Sequence, residues 1–306
     1  MNFTRKHRPK DFEHFYGNKS TVNSIISLLK KDAEDIPKAW LFTGESGCGK
    51  TTAGRIIANM IGCDPSAFYE YNTANTRGIE TIRKVVSSSQ FRPIKGNYKV
   101  YLFDEAHQIT GVAAEALLKL IEDPPKDTYF IFATTNPEAL KKTLKSRCVT
   151  YHFPTITSRD MKALLNDICS EEDDDDFPKD VIDKIIEVSE GKPRMAVQLL
   201  DMVFEMEDID EMLEVIETAE VHSEADVKDI CQALMQNRSW KEVASLLKGT
   251  NNDPESLRRG ILGFFNAVLI NSGDTRIAQL MECFENNYYD TGKAGLTMSC
   301  MQALEI

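Results

Sequence analysis

The 306-residue sequence predicts an α/β fold, with a parallel sheet and its helices in the first half and helices alone in the second. Three observations predict it. Short apolar runs alternate with helical patterns as far as residue 133, a glycine-rich turn joins the first strand to the next helix, and strand signals fade beyond residue 155.

The first strand is Ala39-Trp40-Leu41-Phe42-Thr43, a continuous apolar run of the kind buried on both faces of a sheet. A helix near 50–61 follows, then a strand at Phe68-Tyr69-Glu70-Tyr71 and a second helix near 78–89. Lys99 to Phe103 and Tyr129 to Ala133 are the next strands, and the helix between them, near 112–122, stops at Asp123-Pro124-Pro125. Proline removes a donor and restricts the residue before it, so that stop is steric. In the second half apolar residues recur at helical spacing, as in Val181, Ile182, Ile185, Ile186 and Ala196, Val197, Leu199, Leu200. The acidic run Glu171 to Asp176 reads as an exposed loop or helix end, and 249–254 as a loop inside a carboxy-terminal helical bundle.

Composition narrows the function classes. With 42% hydrophobic and 27% charged residues the chain is globular, which excludes a wholly disordered or fibrous protein. No apolar run approaches the roughly 20 residues that cross a bilayer, and the amino terminus lacks a signal-peptide stretch, so the expected location is the cytoplasm, with no membrane partner. Seven cysteines and five histidines show no CxxC or other zinc spacing, so no zinc is expected and the cysteines read as reduced core residues. The net charge of −12 hides an asymmetry: residues 1–150 carry 22 basic against 16 acidic groups (+6), and residues 151–306 carry 14 against 32 (−18). The basic half permits a phosphate-binding surface.

Gly44-Glu45-Ser46-Gly47-Cys48-Gly49-Lys50-Thr51 satisfies G-x-x-x-x-G-K-[ST] between a strand and a helix. Glycines let backbone N–H groups wrap phosphates, and the helix start, with Thr52 in its first turn, adds its positive end. Lys50 would neutralise the β/γ-phosphates, and the Thr51 hydroxyl would hold Mg²⁺. Asp104, 54 residues after Lys50, closes an apolar strand where a Walker-B acid belongs, and Glu105 beside it is placed to orient or deprotonate a water. ATP and Mg²⁺ are therefore the expected ligands, and the candidate base favours hydrolysis over binding alone. Asp104-Glu105-Ala106-His107 also spells a helicase signature, but the chain lacks the length and strands of a second helicase lobe. Thr135 and Asn136 end the next strand and both stand as candidates to bond the γ-phosphate or its water.

Together these residues resemble the AAA+ clamp loaders, a family that includes the bacterial DNA polymerase III gamma/tau subunit, replication factor C small subunits and the phage clamp-loader ATPase. The resemblance spans residues 3–202. It rests on Lys6 to Phe12 with Tyr16-Gly17, the phosphate loop, Thr76 to Ile79, Val100 to His107, Ala116 to Pro125, Ala133 to Pro137, Ser146-Arg147-Cys148 and Gly191 to Arg194. It implies an AAA+ domain over 1–154, a helical lid over 155–215 and a helical, oligomerising collar over 216–306. It further implies that Arg8, Pro9, Tyr16 and Gly17 line the adenine pocket, and that Thr135 is sensor 1, with Asn136 the alternative. Arg194 is implied as sensor 2 and Arg147 as an arginine finger acting in trans. The implied partners are sister subunits, several copies of the chain itself plus one different subunit in a ring or spiral of about five, a sliding clamp, and primer-template DNA held by its phosphates, as expected for sequence-independent binding. Arg77, Arg83, Lys84, Arg92, Lys95 and Lys119 are the candidate DNA contacts. One departure is that the four-cysteine zinc module of gamma/tau is absent, since Ile61-Gly62-Cys63-Asp64-Pro65 runs on with one cysteine. The activity implied is that of a clamp-loader ATPase; the alternatives are another AAA+ ATPase of DNA metabolism, such as a helicase loader or Holliday-junction motor, and a scaffold subunit without turnover.

Overall fold

The computed structural model describes residues 2–73, 79–109, 111–250, 254–286, 288 and 291–306, with the backbone alone at 79, 218–225 and 256. Its described residues form two compact units, Met1–Leu213 and Glu214–Ile306.

The first unit is built on five parallel strands, lying across the sheet in the order 63–72, 98–104, 128–134, 39–43 and 149–152. In chain order its elements are α1 (Phe3–Lys6), α2 (Lys19–Leu29), β1 (Ala39–Thr43), α3 (Lys50–Met60), β2 (Cys63–Asn72), α4 (Ile79–Ser89) and β3 (Tyr98–Asp104), then α5 (Gly111–Glu122), β4 (Thr128–Thr134), α6 (Lys142–Lys145) and β5 (Val149–His152). Strand side chains alternate between faces, so each strand feeds two cores. Trp40, Phe42, Leu102 and Ile131 join Val22, Ile25, Ile56 and Ile57 of α2 and α3. Leu41, Tyr101, Phe103, Phe130 and Phe132 face Ile82, Val85, Leu117 and Leu120 of α4 and α5. On that second face two aromatic ladders cross the sheet: Tyr69, Tyr101 and Phe130 stack at 5.1 and 5.7 Å, and Tyr71, Phe103 and Phe132 at 5.7 and 5.3 Å. Covering both faces is what an all-parallel sheet requires.

The expected strands and intervening helices are all present. One strand, β5, was not expected; it pairs with β1 at the sheet edge. Three helices complete the unit, α7 (Ser158–Glu171), α8 (Lys179–Val188) and α9 (Pro193–Val203), packed on each other through buried Leu164, Leu165, Ile185, Val197 and Leu200.

The second unit is helical, as its periodicity predicts. It holds most of α10 (Ile209–Met235), with α11 (Trp240–Gly249), α12 (Pro254–Ser272), α13 (Thr275–Cys283) and α14 (Gly292–Ala303) around Ile230, Leu234, Val243, Ile261, Phe265, Leu280 and Cys300. The expected loop at 249–254 includes 251–253, which lie outside the described residues. Among the described residues no helix is long and apolar enough to cross a membrane.

Candidate functional site

Parallel strands all end on one edge, and the order β3-β4-β1 brings three functional ends together there. The phosphate loop follows β1, Asp104 ends β3, and Thr134 ends β4 between them. The loop is shaped by its glycines: Gly44, Gly47 and Gly49 have φ of +140°, +80° and +93°, conformations that side chains disfavour. Space restricts them too. A Cβ at Gly44 would lie 2.1 Å from the Phe153 carbonyl oxygen, and one at Gly49 would lie 2.7 Å from Phe15 Cζ.

Gly49 caps α3 without a side-chain hydrogen bond, so the first N–H groups of this helix remain available to an anion. Lys50 is 5% exposed and donates from Nζ to the carbonyls of Gly44 (2.9 Å) and Glu45 (2.7 Å). Burial pulls its ammonium below the usual lysine range, opposed by Glu105 and Asp104 nearby. The Thr51 hydroxyl donates to Asp104 Oδ2 at 2.9 Å. These are hard oxygen donors at the mouth of the loop, the set that suits Mg²⁺. Among the described residues no group of three or more His, Cys, Asp or Glu is placed to hold a metal ion, and Mg²⁺ bound with a nucleotide takes most of its ligands from phosphate and water.

Glu105 sits in the left-handed region at φ +52°. Its Oε2 accepts from the Thr135 hydroxyl at 3.0 Å and the Thr135 N–H at 3.4 Å, with His107 Nδ1 at 3.4 Å. Buried His107 also meets the Thr134 hydroxyl at 2.9 Å, so it braces the ends of two strands. Asn136 is differently occupied, since its side chain caps the short turn that follows by accepting from the Ala139 N–H at 3.3 Å. Of the two candidates for sensor 1, Thr135 is the one bonded to Glu105.

One cleft is lined by Ser46 to Thr52 together with Asp104 and Glu105, by Arg8, Pro9 and Tyr16, and by Arg194. Arg194 lies in the first turn of α9, and its N–H donates to the Gly47 carbonyl at 3.4 Å. Burial lowers the Arg8 guanidinium from its ordinary value and raises the Tyr16 phenol to about 12, with a hydrogen bond to Asp167 adding to the latter. Burial also raises the Cys48 thiol. Gly17 is not brought to the cleft: its φ is +75° and a Cβ there would lie 2.4 Å from Ile156, so its glycine is a packing requirement. The cleft also takes in Phe3, His7, Phe15, Arg55, Glu70, Leu164 and Val197, which the sequence reading missed. Arg55 pairs with Glu70 at 2.6 Å. Arg55 lies one helical turn beyond Thr51, a spacing that would have found it.

Arg147 is elsewhere. It does not line the cleft, and its guanidinium pairs with Glu122 and donates to the Thr143 carbonyl at 2.8 Å. Of the candidate DNA contacts, Arg83, Lys84 and Lys119 are exposed on α4 and α5. Arg92 and Lys95 lie in the loop after α4, at the edge of the sheet opposite the phosphate loop, with Arg92 3.5 Å from Asp127. Arg77 lies outside the described residues. The acidic run is not wholly solvated as expected: Glu171 and Glu172 are paired with His7 and Lys6.

Residues 68–157 match the family described as DNA polymerase III, delta subunit. Among curated proteins the chain is 33% identical over 230 residues to DNA polymerase III subunit gamma/tau of Mycobacterium tuberculosis H37Rv, covering 66% of this chain and 39% of that one. It is 31% identical over 221 residues to subunit gamma of Buchnera aphidicola subsp. Schizaphis graminum, covering 64% and 59%. The chain resembles the DNA polymerase III gamma/tau subunits. It spans 39% and 59% of the length of these relatives, less than two thirds of either. Among solved structures, the gamma/tau-like chain superposes on the RuvB Holliday junction branch migration motor of Thermotoga maritima with a TM-score of 0.58 at 21% identity, over 83% of this chain and 85% of that one. At that identity the likeness establishes the fold alone, an α/β unit with a helical carboxy-terminal region.

Proposed function

We propose that the chain is the ATPase subunit of a sliding-clamp loader, using ATP to open the clamp and place it on primer-template DNA. The observation that carries this reading is the convergence of Lys50, the Thr51–Asp104 pair and Glu105 on one cleft, in a chain similar to gamma/tau. In the cleft Lys50 would neutralise phosphate oxygens, and Thr51 and Asp104 would hold Mg²⁺, which supplies further charge neutralisation. Glu105 would take the proton of the attacking water. Arg8, Pro9 and Tyr16 would bound the adenine, and Arg194 would tie the helices after residue 155 to the phosphates.

Arg147 supports an assembled enzyme. A guanidinium that is 33% exposed and off its own cleft serves hydrolysis best in a neighbouring subunit, where it would exchange Glu122 for developing phosphoryl charge. On this reading residues 155–215 are the lid, residues 216–306 the collar, and the partners are sister subunits, a clamp and DNA phosphates, in the cytoplasm. The tip at 91–95 qualifies the DNA assignment: Arg92 and Lys95 stand beside Phe91 and Ile94, which are 71% and 100% exposed, a mixture better suited to a protein face.

The test is steady-state ATP hydrolysis by the chain with its sister subunit, with and without primer-template DNA and clamp. Joint stimulation by both is expected; stimulation by neither in an assembled complex would overturn the clamp-loader reading. In the same assay Arg147→Ala should leave nucleotide affinity intact and lower stimulated turnover by about 10³- to 10⁵-fold.

A further inference from the structure

The chain's first residues form a wall of the cleft and are fastened from outside it. Phe3, Thr4, His7, Arg8 and Pro9 line the cleft. Beyond them Phe12 is buried against the sheet and Phe15 meets the phosphate loop at Gly49, so the wall's far end is anchored in the core. Its near end rests on the helices that follow the sheet. Phe3 is 1% exposed and packs edge-on against Phe204 at 5.1 Å, and Phe204 stacks on Phe177 at 5.5 Å.

An ionic clasp closes this near end. His7 Nδ1 lies 2.8 Å from Glu171 Oε2, and His7 Nε2 lies 2.5 Å from Glu172 Oε1, with the His7 and Glu172 side chains 3% and 8% exposed. Lys6 Nζ reaches the same Glu172 at 2.5 Å. The Nδ1 contact to Glu171 has hydrogen-bond geometry, whereas Nε2 and Glu172 Oε1 lie close without forming a hydrogen bond. Glu171 ends α7, so the negative end of that helix lies beside the Lys6 ammonium paired with Glu172. The Lys6 ammonium, joined by His7, holds the Glu172 carboxyl below its ordinary range. Leu164, two turns earlier on α7, itself lines the cleft, so the helix that carries the clasp also forms part of the site.

We propose that Glu171 and Glu172 are positioning residues for the nucleotide: by clasping Lys6 and His7 they fix the wall formed by residues 3–9 and slow nucleotide release. The proposal rests on the reading of this cleft as an ATP site. It assigns to the first two acids of the 171–176 run a role that their composition conceals. It also predicts a sign opposite to simple electrostatics. Removing two negative charges near the cleft would favour an anionic ligand by Coulomb attraction alone, whereas opening the clasp loosens the wall and speeds release.

The experiment measures association and dissociation of a fluorescent ATP analogue with Mg²⁺ on the full chain by stopped flow. Glu171→Gln/Glu172→Gln should raise the dissociation rate about tenfold with association within about twofold, since changes in affinity within one site fall mainly on dissociation. Asp173→Asn/Asp176→Asn removes the same charge from the same run without touching the clasp, and should leave dissociation unchanged or slower. Lys6→Gln, a substitution at a half-exposed side chain, should shift dissociation in the same direction by about threefold, and carries the test if the double glutamine variant fails to fold. Dissociation from the double variant equal to or slower than from the native chain overturns the proposal, while loss of binding in Lys50→Ala shows that the ATP reading survives. Failure of the native chain to bind the analogue overturns that reading and the proposal with it.

Discussion

Glu105 and Thr135 occupy each other. The glutamate accepts from the threonine hydroxyl at 3.0 Å, so the carboxylate that the proposed function assigns to deprotonating water is turned toward the end of β4. Reaction would require this bond to be exchanged for one to the attacking water, leaving the Thr135 hydroxyl to meet the phosphate or the water itself. Thr135→Val keeps the strand shape and removes the donor. It should leave nucleotide affinity within about threefold and lower kcat of the assembled complex about 10²-fold, as for loss of a single transition-state donor. Asn136→Ala should cost less, because its side chain is occupied in capping the turn at Ala139. Comparison of kcat and KM for the two variants checks the order, and a larger kcat loss at Asn136 would move sensor 1 to that residue. The sequence left both candidates standing because each is a polar residue at a strand end. What separates them is the direction of a side chain, which no spacing encodes. The same is true of Glu172, whose place in an acidic run points to solvent while its partners are 166 and 165 positions away at Lys6 and His7.

At the scale of elements, legibility follows burial. The strands β1, β3 and β4 lie inside the sheet, buried on both faces, and read as apolar runs; β5 borders only β1, is half exposed, and its Val-Thr-Tyr-His carries no such run. β2 is legible only from Phe68 onward, because its pairing with β3 is irregular between Cys63 and Phe68. In the second unit helical period was visible, but the ion pair that fixes α12 was not. Glu255, 5% exposed, accepts from Arg258 at 2.6 and 2.9 Å and from the Tyr288 N–H at 2.8 Å. Burial pushes its carboxyl up, but those donors and the Arg258 and Arg259 charges outweigh it, and the net shift is downward. A carboxyl lowered on folding contributes stability above the unfolded range, about 4.3 for glutamate, and loses it as pH falls through the lower folded value. Glu255→Ala leaves Arg258 with a buried, uncompensated charge and should destabilise this unit by on the order of 3 kcal/mol at pH 7. Thermal melts of both proteins from pH 7 to pH 3 check this. The difference should shrink toward the acid end, and a constant difference would mean that lost packing, not lost charge, is responsible.

For the whole molecule the net charge of −12 is misleading, since a +6 first stretch and a −18 second stretch meet in one chain. On the proposed reading a surface that grips DNA by its phosphates would need only local positive charge, and α4 and α5 offer Arg83, Lys84 and Lys119, all exposed on helices whose inner faces pack on the sheet. Arg92 and Lys95 lie at the far edge beside exposed apolar groups, so two basic surfaces compete for the same assignment. Salt distinguishes them. Each phosphate deprived of its cationic side chain should flatten the dependence of log K on log salt concentration by about 0.9 for duplex DNA. In the assembled complex, Arg83→Ala/Lys84→Ala/Lys119→Ala should reduce that slope by roughly 2 to 3, and Arg92→Ala/Lys95→Ala should leave it nearly unchanged. DNA affinity measured across a salt series for both variants decides between the surfaces. The reverse order would place DNA against the 91–95 tip, and the exposed Phe91 and Ile94 would then be explained by contact with bases or sugars instead of a protein partner.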